Sequence, residues 1–266
     1  MAAVWGGVLS FFGLVAIPVQ LFSATEDHTI RFHQIQRGTA DRVRHKRINE
    51  RTGDEVPYAE IVKGFPTEHG WVVVEPTELE EIAPGRSRSL EIIGFVDFDD
   101  IDPIYVRDTY YLAPSAAEYG KVFALLRNAL HQAHRAGIAT LVLRNKQRLA
   151  ALMPGEAVLH LCLLHWADEI RDPHQQLGGT LPEQTTSSQL ELDTAVQLIE
   201  AMTINWAPHD YRDTYQQKVR ELVEAKLSDT AIEKALPPPR STAVADLMDA
   251  LQASVEEARA ARTPRK

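Results

Sequence analysis

The sequence predicts an α+β fold, a large sheet or barrel followed by a helical arm, on three observations. Runs of β-branched and aromatic residues bounded by turn residues recur through residues 1–175. Within them one stretch, 118–135, keeps its apolar residues at helical spacing. Around 172–189 the composition turns to Gly, Gln, Ser and Thr, and beyond that point the apolar spacing is helical.

Taken in order, "GLVAIPVQLF" (13–22) and "TIRFHQIQR" (29–37) read as strands. "RFHQIQR" (31–37) and "RVRHKRI" (42–48) flank "GTAD", which opens with Gly38 and suggests a hairpin. Further strands are expected at "WVVVEP" (71–76), "RSLEIIGFV" (88–96), "TYYLAP" (109–114), "IATLVLR" (138–144) and "AVLHLCLL" (157–164). In 118–135, Tyr119, Val122, Phe123, Leu126, Leu130 and Ala133 fall on one side of a helix. After the linker, Leu192, Ala195, Val196, Ile199 and Met202 line one helix, and Tyr215, Val219, Leu222, Val223 and Leu227 line a second. An arm of about 50 residues cannot bury both stripes by itself, so it needs the first domain or another subunit. "PPP" (237–239) ends any helix and makes a stiff spacer before a last stripe of Val244, Leu247, Met248, Leu251, Val255 and Ala258. The expected division is 1–175, 176–236 and 237–266.

With 266 residues, 44% hydrophobic and 24% charged, the chain can bury a sizeable core and lacks the bias of global disorder. Its single cysteine, Cys162, excludes an intramolecular disulfide framework and fits a reducing compartment. "VLSFFGLVAI" (8–17) has the length of a signal-peptide apolar region, but no Lys or Arg precedes Arg31 to supply the charged start. Gly6, Gly7, Gly13 and Pro18 interrupt any spanning helix, so no membrane partner is expected.

Charge is the informative quantity. The net charge is -9, yet residues 31–51 hold seven Lys/Arg against two Asp/Glu. Twenty of the 28 basic residues are Arg, whose rigid fork matches phosphate oxygens with two parallel hydrogen bonds. As a strand, 42–49 would place Arg42, Arg44, Lys46 and Ile48 on one face and Val43, His45, Arg47 and Asn49 on the other. Neither face is apolar, so the segment projects into solvent or toward an anion. A duplex, with one charge per roughly 1.7 Å of axis, is such an anion. Phe32 is the main aromatic in the stretch, which argues against single-strand binding by base stacking. A smaller basic cluster, "RNKQR" (144–148), supplies Arg144, Lys146 and Arg148.

Catalytic motifs are missing. The chain has no GxxxxGK[ST] loop, no GxSxG elbow and no HExxH pair, so no catalytic residue and no cofactor are expected. "DFDDID" (97–102) lacks the Gly turn and distal Glu of a calcium loop and reads as turn-forming aspartates. In "HLCLLH" (160–165) a strand would put His160 and Cys162 on one face and His165 on the other. His131 and His134 sit one helical turn apart among polar neighbours. No metal site is expected from either group.

These segments together resemble the bacterial Ku family, DNA-end-binding proteins of non-homologous end joining. The resemblance begins in "FGLVAIPVQLFSATEDHTIRFHQI" (12–35) and "RVRHKRINERTGDEVPYAEIVKGF" (42–65). It continues in "IDPIYVRDTYYLAP" (101–114), "LVLRNKQRLAAL" (141–152) and "WADEIRDP" (166–173). The arm at 195–227 and the tail "VADLMDALQASVEEA" (244–258) carry it to the C-terminal part. It implies a β-barrel core, an arching basic strand region and a helical arm, assembled as a ring-shaped homodimer around double-stranded DNA ends. It implies recruitment of an ATP-dependent end-joining DNA ligase, with Leu247, Met248, Leu251 and Val255 as the partner-binding stripe. Cytoplasmic, nucleoid-associated localisation follows from the same resemblance. Charge placement, with the region supported by the resemblance, nominates Arg31, His33, Arg37, Arg42, Arg44, Lys46, Arg47, Arg144, Lys146 and Arg148 for DNA contact.

Three departures stand out. Asn49 and Thr52 occupy positions where many relatives carry a Cys-x-x-Cys pair, and Gln20 stands where relatives often have Lys. The lysine-rich tail of some relatives is reduced to "RTPRK". Two rival readings accompany the first: a DNA-end-processing lyase using Lys46 as a Schiff base, and a protein-binding scaffold whose basic hairpin meets an acidic partner.

Overall fold

The computed structural model describes residues 2–11, 15–39, 41–82, 88–181 and 188–228. The expected tail, 237–266 with Leu247, Met248, Leu251 and Val255, lies outside the described residues. The chain gathers into two compact units, Met1–His28 with Phe32–Gln176, and Thr29–Arg31 with Leu177 onward.

In chain order the first unit contains β1 (Trp5–Phe11), β2 (Val15–Ser23), β3 (Lys63–Thr67), β4 (Gly70–Val74) and α1 (Pro76–Ile82). These are followed by β5 (Ser89–Asp97), β6 (Val106–Pro114), α2 (Gly120–Ala133), β7 (Arg135–Leu143), β8 (Lys146–Pro154) and β9 (Leu159–Leu164). Seven of these strands close into a barrel in the order β1-β2-β6-β9-β8-β7-β5, and β3 and β4 form a separate hairpin. The expected α+β fold is therefore present, with the barrel rather than an open sheet. Closure removes the free edges that an open sheet would leave.

Strand periodicity explains the core. Leu9, Ile17, Val19, Leu21, Leu90, Ile92, Ala139, Leu141, Leu143, Ala150, Leu152, Leu159, Leu161 and Leu163 alternate along their strands and fill one cluster, joined by Phe123 and Leu130 of α2. Val122, expected on the buried stripe of α2, faces solvent instead. Opposite parity gives a second, outer cluster of Ala151, Cys162 and Leu164 under Ile101, Tyr105, Ile138, Leu149 and Met153. β8 and β9 are thus buried on both faces. Closure itself joins β1 to β5 in parallel, and there Gly7 is required: a Cβ at that position would meet the Arg88 carbonyl oxygen at 2.1 Å.

The "DFDDID" aspartates act as local caps. Asp97 and Asp102 accept from the backbone N–H groups of Asp99 and Ile104, and Asp97 also pairs with Arg135 at 3.1 Å.

A short helix, α3 (Pro173–Leu177), leads toward the second unit, which contains α4 (Gln189–Met202) and α5 (Thr214–Leu227). Ser188 and Glu191 close a capping box on α4, and the Ser188 hydrogen bonds hold the Glu191 carboxyl below its usual range. Asp213 caps α5 through the N–H groups of Tyr215 and Gln216. Among the described residues of this unit Val219 is the buried apolar side chain, while Leu190, Ile199, Met202 and Leu227 are exposed. No helix among the described residues is long and apolar enough to cross a membrane.

Candidate nucleic-acid interface

The excursion between β2 and β5, which carries the first basic cluster, is rooted at the end of the barrel where the second cluster stands. Strand registers place the starts of β1, β5, β6 and β8 and the ends of β2, β7 and β9 at the same rim. The chain leaves that rim after Ser23 and returns to it at Ser89, so the whole excursion between β2 and β5 is rooted there. The β7–β8 turn, Arg144–Asn145, stands at the same rim. Both its residues adopt positive φ (53° and 60°), as a two-residue hairpin turn demands. Leu141 faces Arg148 and Leu143 faces Lys146, so Lys146 and Arg148 extend the inward-facing row of β8 out to the barrel mouth. Trp5 braces this corner by donating from Nε1 to the Val142 carbonyl at 3.2 Å.

From Thr25 to Ile82 no described side chain is buried in the single chain. The expected hairpin between 31–37 and 42–48 reduces to one bridge, Ile35 to Arg42, flanked by Gln36 N–H to Asp41 O (2.8 Å) and Val43 N–H to Gln34 O (2.9 Å). Longer strands do not form because no apolar face rewards a longer ladder. Gly38 turns the chain at φ 95°. A second minimal hairpin, unforeseen from the sequence, is bridged at Ile48 to Glu55. Its turn is fixed by Asn49, whose Oδ1 accepts from the N–H groups of Arg51 and Thr52 while Gly53 takes φ 76°. Asn49 and Thr52 are thus joined by a hydrogen bond.

The nominated residues divide by environment. His33, Arg37, Arg42, Arg44, Lys46 and Arg47 lie exposed on the excursion, Arg144 and Lys146 are exposed at the rim, and Arg148 is half-buried. Arg31 belongs to the helical unit, where the neighbouring Ile30 N–H donates to Gln216 Oε1 at 3.1 Å. Lys46 Nζ pairs with Glu55 at 2.6 Å, and the Arg47 guanidinium lies 5.0 Å from the Tyr58 ring centre. Sequence reading missed both partners, because they meet Lys46 and Arg47 only once the Asn49–Gly53 turn has folded the chain back. Arg42 and Arg44 form no ion pair among the described residues.

His160 packs on the Tyr111 ring, and Cys162 lies against Thr109 and Met153; burial pushes its thiol up, outweighing the lowering effect of the Thr109 contact. His134 caps α2 at φ 52° with its ring against Phe98. Among the described residues no three His, Cys, Asp or Glu side chains stand close enough to hold a metal ion.

Known proteins give this arrangement a family. Residues 11–194 match the Ku70/Ku80 beta-barrel domain. The chain is 64% identical over 252 residues to non-homologous end joining protein Ku 3 of Saccharopolyspora erythraea, covering 95% of this chain and 96% of that one. It is 46% identical over 259 residues to Ku 1 of the same organism, covering 97% and 79%. Against the non-homologous end joining protein Ku of Mycolicibacterium smegmatis it is 36% identical over 266 residues, covering 96% and 82%. With a barrel-domain match across most of its length and relatives this similar end to end, the chain belongs to the Ku family.

Proposed function

We propose that this chain binds double-stranded DNA ends in non-homologous end joining, gripping the phosphate backbone without reading sequence and without catalysis of its own. One observation supports this above the rest. The excursion, in which no described side chain from Thr25 to Ile82 is buried, carries one set of cations and is rooted at the barrel rim where the Arg144–Lys146 turn carries another, in an otherwise acidic protein. Such a surface suits backbone contact, because bases are read by elements seated in a groove. Lys46, the lysine a lyase mechanism would use, is bound to Glu55 rather than set in an apolar pocket, which disfavours that rival.

The working form is a ring-shaped homodimer. Phe65, Trp71, Val72 and Val73 on the β3–β4 hairpin, together with Leu190, Ile199 and Met202 on α4, are apolar surface that a monomer would leave in water. A two-stranded hairpin is marginal alone, so a partner surface supplies what it lacks.

A topological experiment separates a threaded ring from a coating protein. Binding is compared on a linear duplex and on the same duplex as a relaxed closed circle. Tight binding to the linear form alone is expected, and equal binding to both would overturn the ring. If about six phosphates are neutralised, affinity should fall on the order of 10³-fold between 50 and 200 mM salt.

The tail recruits an ATP-dependent ligase through its apolar stripe, a reading supported by the sequence alone, in which "PPP" precedes that stripe. Replacing Leu247 and Leu251 by Asp should abolish stimulation of the ligase and leave DNA binding intact. Unchanged end joining would remove the tail from the mechanism.

A further inference from the structure

We infer that Glu55 withholds Lys46 from the phosphate backbone and so sets how many cations the excursion lays on a duplex. The inference rests on the duplex-binding reading above and adds a residue that tunes it.

Arg42, Arg44 and Lys46 are spaced two residues apart, so charge alone would make them three equal contacts. Their surroundings differ. Lys46 Nζ lies 2.6 Å from Glu55 Oε2, whereas Arg42 and Arg44 have no ion-pair partner among the described residues. The pairing is built into the backbone. Asn49 N–H donates to Asp54 O at 2.8 Å and Val56 N–H to Arg47 O at 2.9 Å, which holds 54–56 alongside 47–49. The Asn49 side chain and the positive φ of Gly53 fix the turn between them. Glu55 is therefore presented to Lys46 by the turn of the chain itself.

A carboxylate and a phosphodiester oxygen compete for the same ammonium. The pair is open to water, with Lys46 and Glu55 side chains 70% and 58% exposed, so its strength is modest and a phosphate is a real competitor. Glu55 also carries a charge that repels the backbone. Glu55→Gln keeps the side chain's size, removes both effects and adds one cation to the interface.

The test measures duplex affinity of the full chain across salt concentrations. Glu55→Gln should tighten binding by up to about fivefold and steepen the salt slope by about 0.9, the value of one phosphate contact. In the parent protein Lys46→Gln should leave the slope nearly unchanged, and in the Glu55→Gln background it should return the slope to the parent value. Glu50→Gln removes the same charge from a nearby residue that has no ion pair among the described residues, and it should change the slope less. The inference is overturned if Glu50→Gln and Glu55→Gln act alike, or if Lys46→Gln removes a full contact from the parent protein. Duplex binding with an unaltered Glu55→Gln slope sinks this inference alone, while no duplex binding by any variant sinks the binding reading with it. Folding is monitored by thermal melting, which should not move because no described side chain from Thr25 to Ile82 is buried.

Discussion

The barrel and the excursion rooted in it are built on opposite principles. In the barrel, alternate residues of seven strands point into one cluster, and Leu9, Leu21, Leu152, Leu159 and Leu161 are fully buried. In the excursion, two single-bridge hairpins and an exposed β3–β4 pair hold their shape through turn residues and a few backbone hydrogen bonds. The barrel carries stability and the excursion carries charge. Their energetics should therefore separate, with substitutions in one region moving unfolding and substitutions in the other moving salt-dependent binding.

The largest effect expected is on stability. Leu161→Ala removes a side chain with no exposed surface from the middle of the barrel cluster. Urea unfolding should show a loss of about 2–5 kcal/mol, the usual range when a core leucine leaves a cavity. Well below the unfolding temperature, the salt slope of duplex binding should match the parent. A changed slope would mean that barrel packing shapes the excursion, and the separation would fail.

The converse change comes next. Replacing Arg42 and Arg44 together by Gln removes two cations that have no ion pair among the described residues, from a stretch where no described side chain is buried. The slope should become shallower by about 1.8, and affinity at 0.1 M salt should fall on the order of 50-fold, alike for every duplex sequence. Unfolding should stay within about 0.5 kcal/mol, as for surface substitutions generally. Loss confined to one sequence would point to base readout and defeat the backbone reading.

The same contrast explains what could be read in the sequence. β2, β5, β6, β7 and β9 were legible because their apolar runs are bounded by turn residues. β8 was not: in "KQRLAALMP" the alternation is lost because both faces are buried, and Ala, Leu and Met favour helix by propensity. Its first residues were visible only as a basic cluster. β1 was obscured by glycines, one of which the parallel closure with β5 requires. The exposure of Arg42–Arg47 was legible because neither face of a strand there is apolar. The pairs Lys46–Glu55 and Arg47–Tyr58 were not, because they depend on a turn whose register is fixed by one asparagine side chain. Nor was Arg31's place in the helical unit, since strand pattern tied it to the residues that follow.

The smallest effect probes the seam between the two regions. Trp5 belongs to the barrel, yet its indole N–H reaches Val142 O, beside the turn that presents Arg144 and Lys146. Trp5→Phe keeps an aromatic ring against the core cluster and removes that hydrogen bond. A loss of about 1 kcal/mol is expected on unfolding, the usual net worth of one such bond. The positive φ values of Arg144 and Asn145 and the β7–β8 ladder remain, so the turn keeps its shape and the salt slope should not move. If the slope does become shallower, the Arg144 turn depends on the indole for its geometry. The line between stability and charge would then have to be drawn inside the barrel.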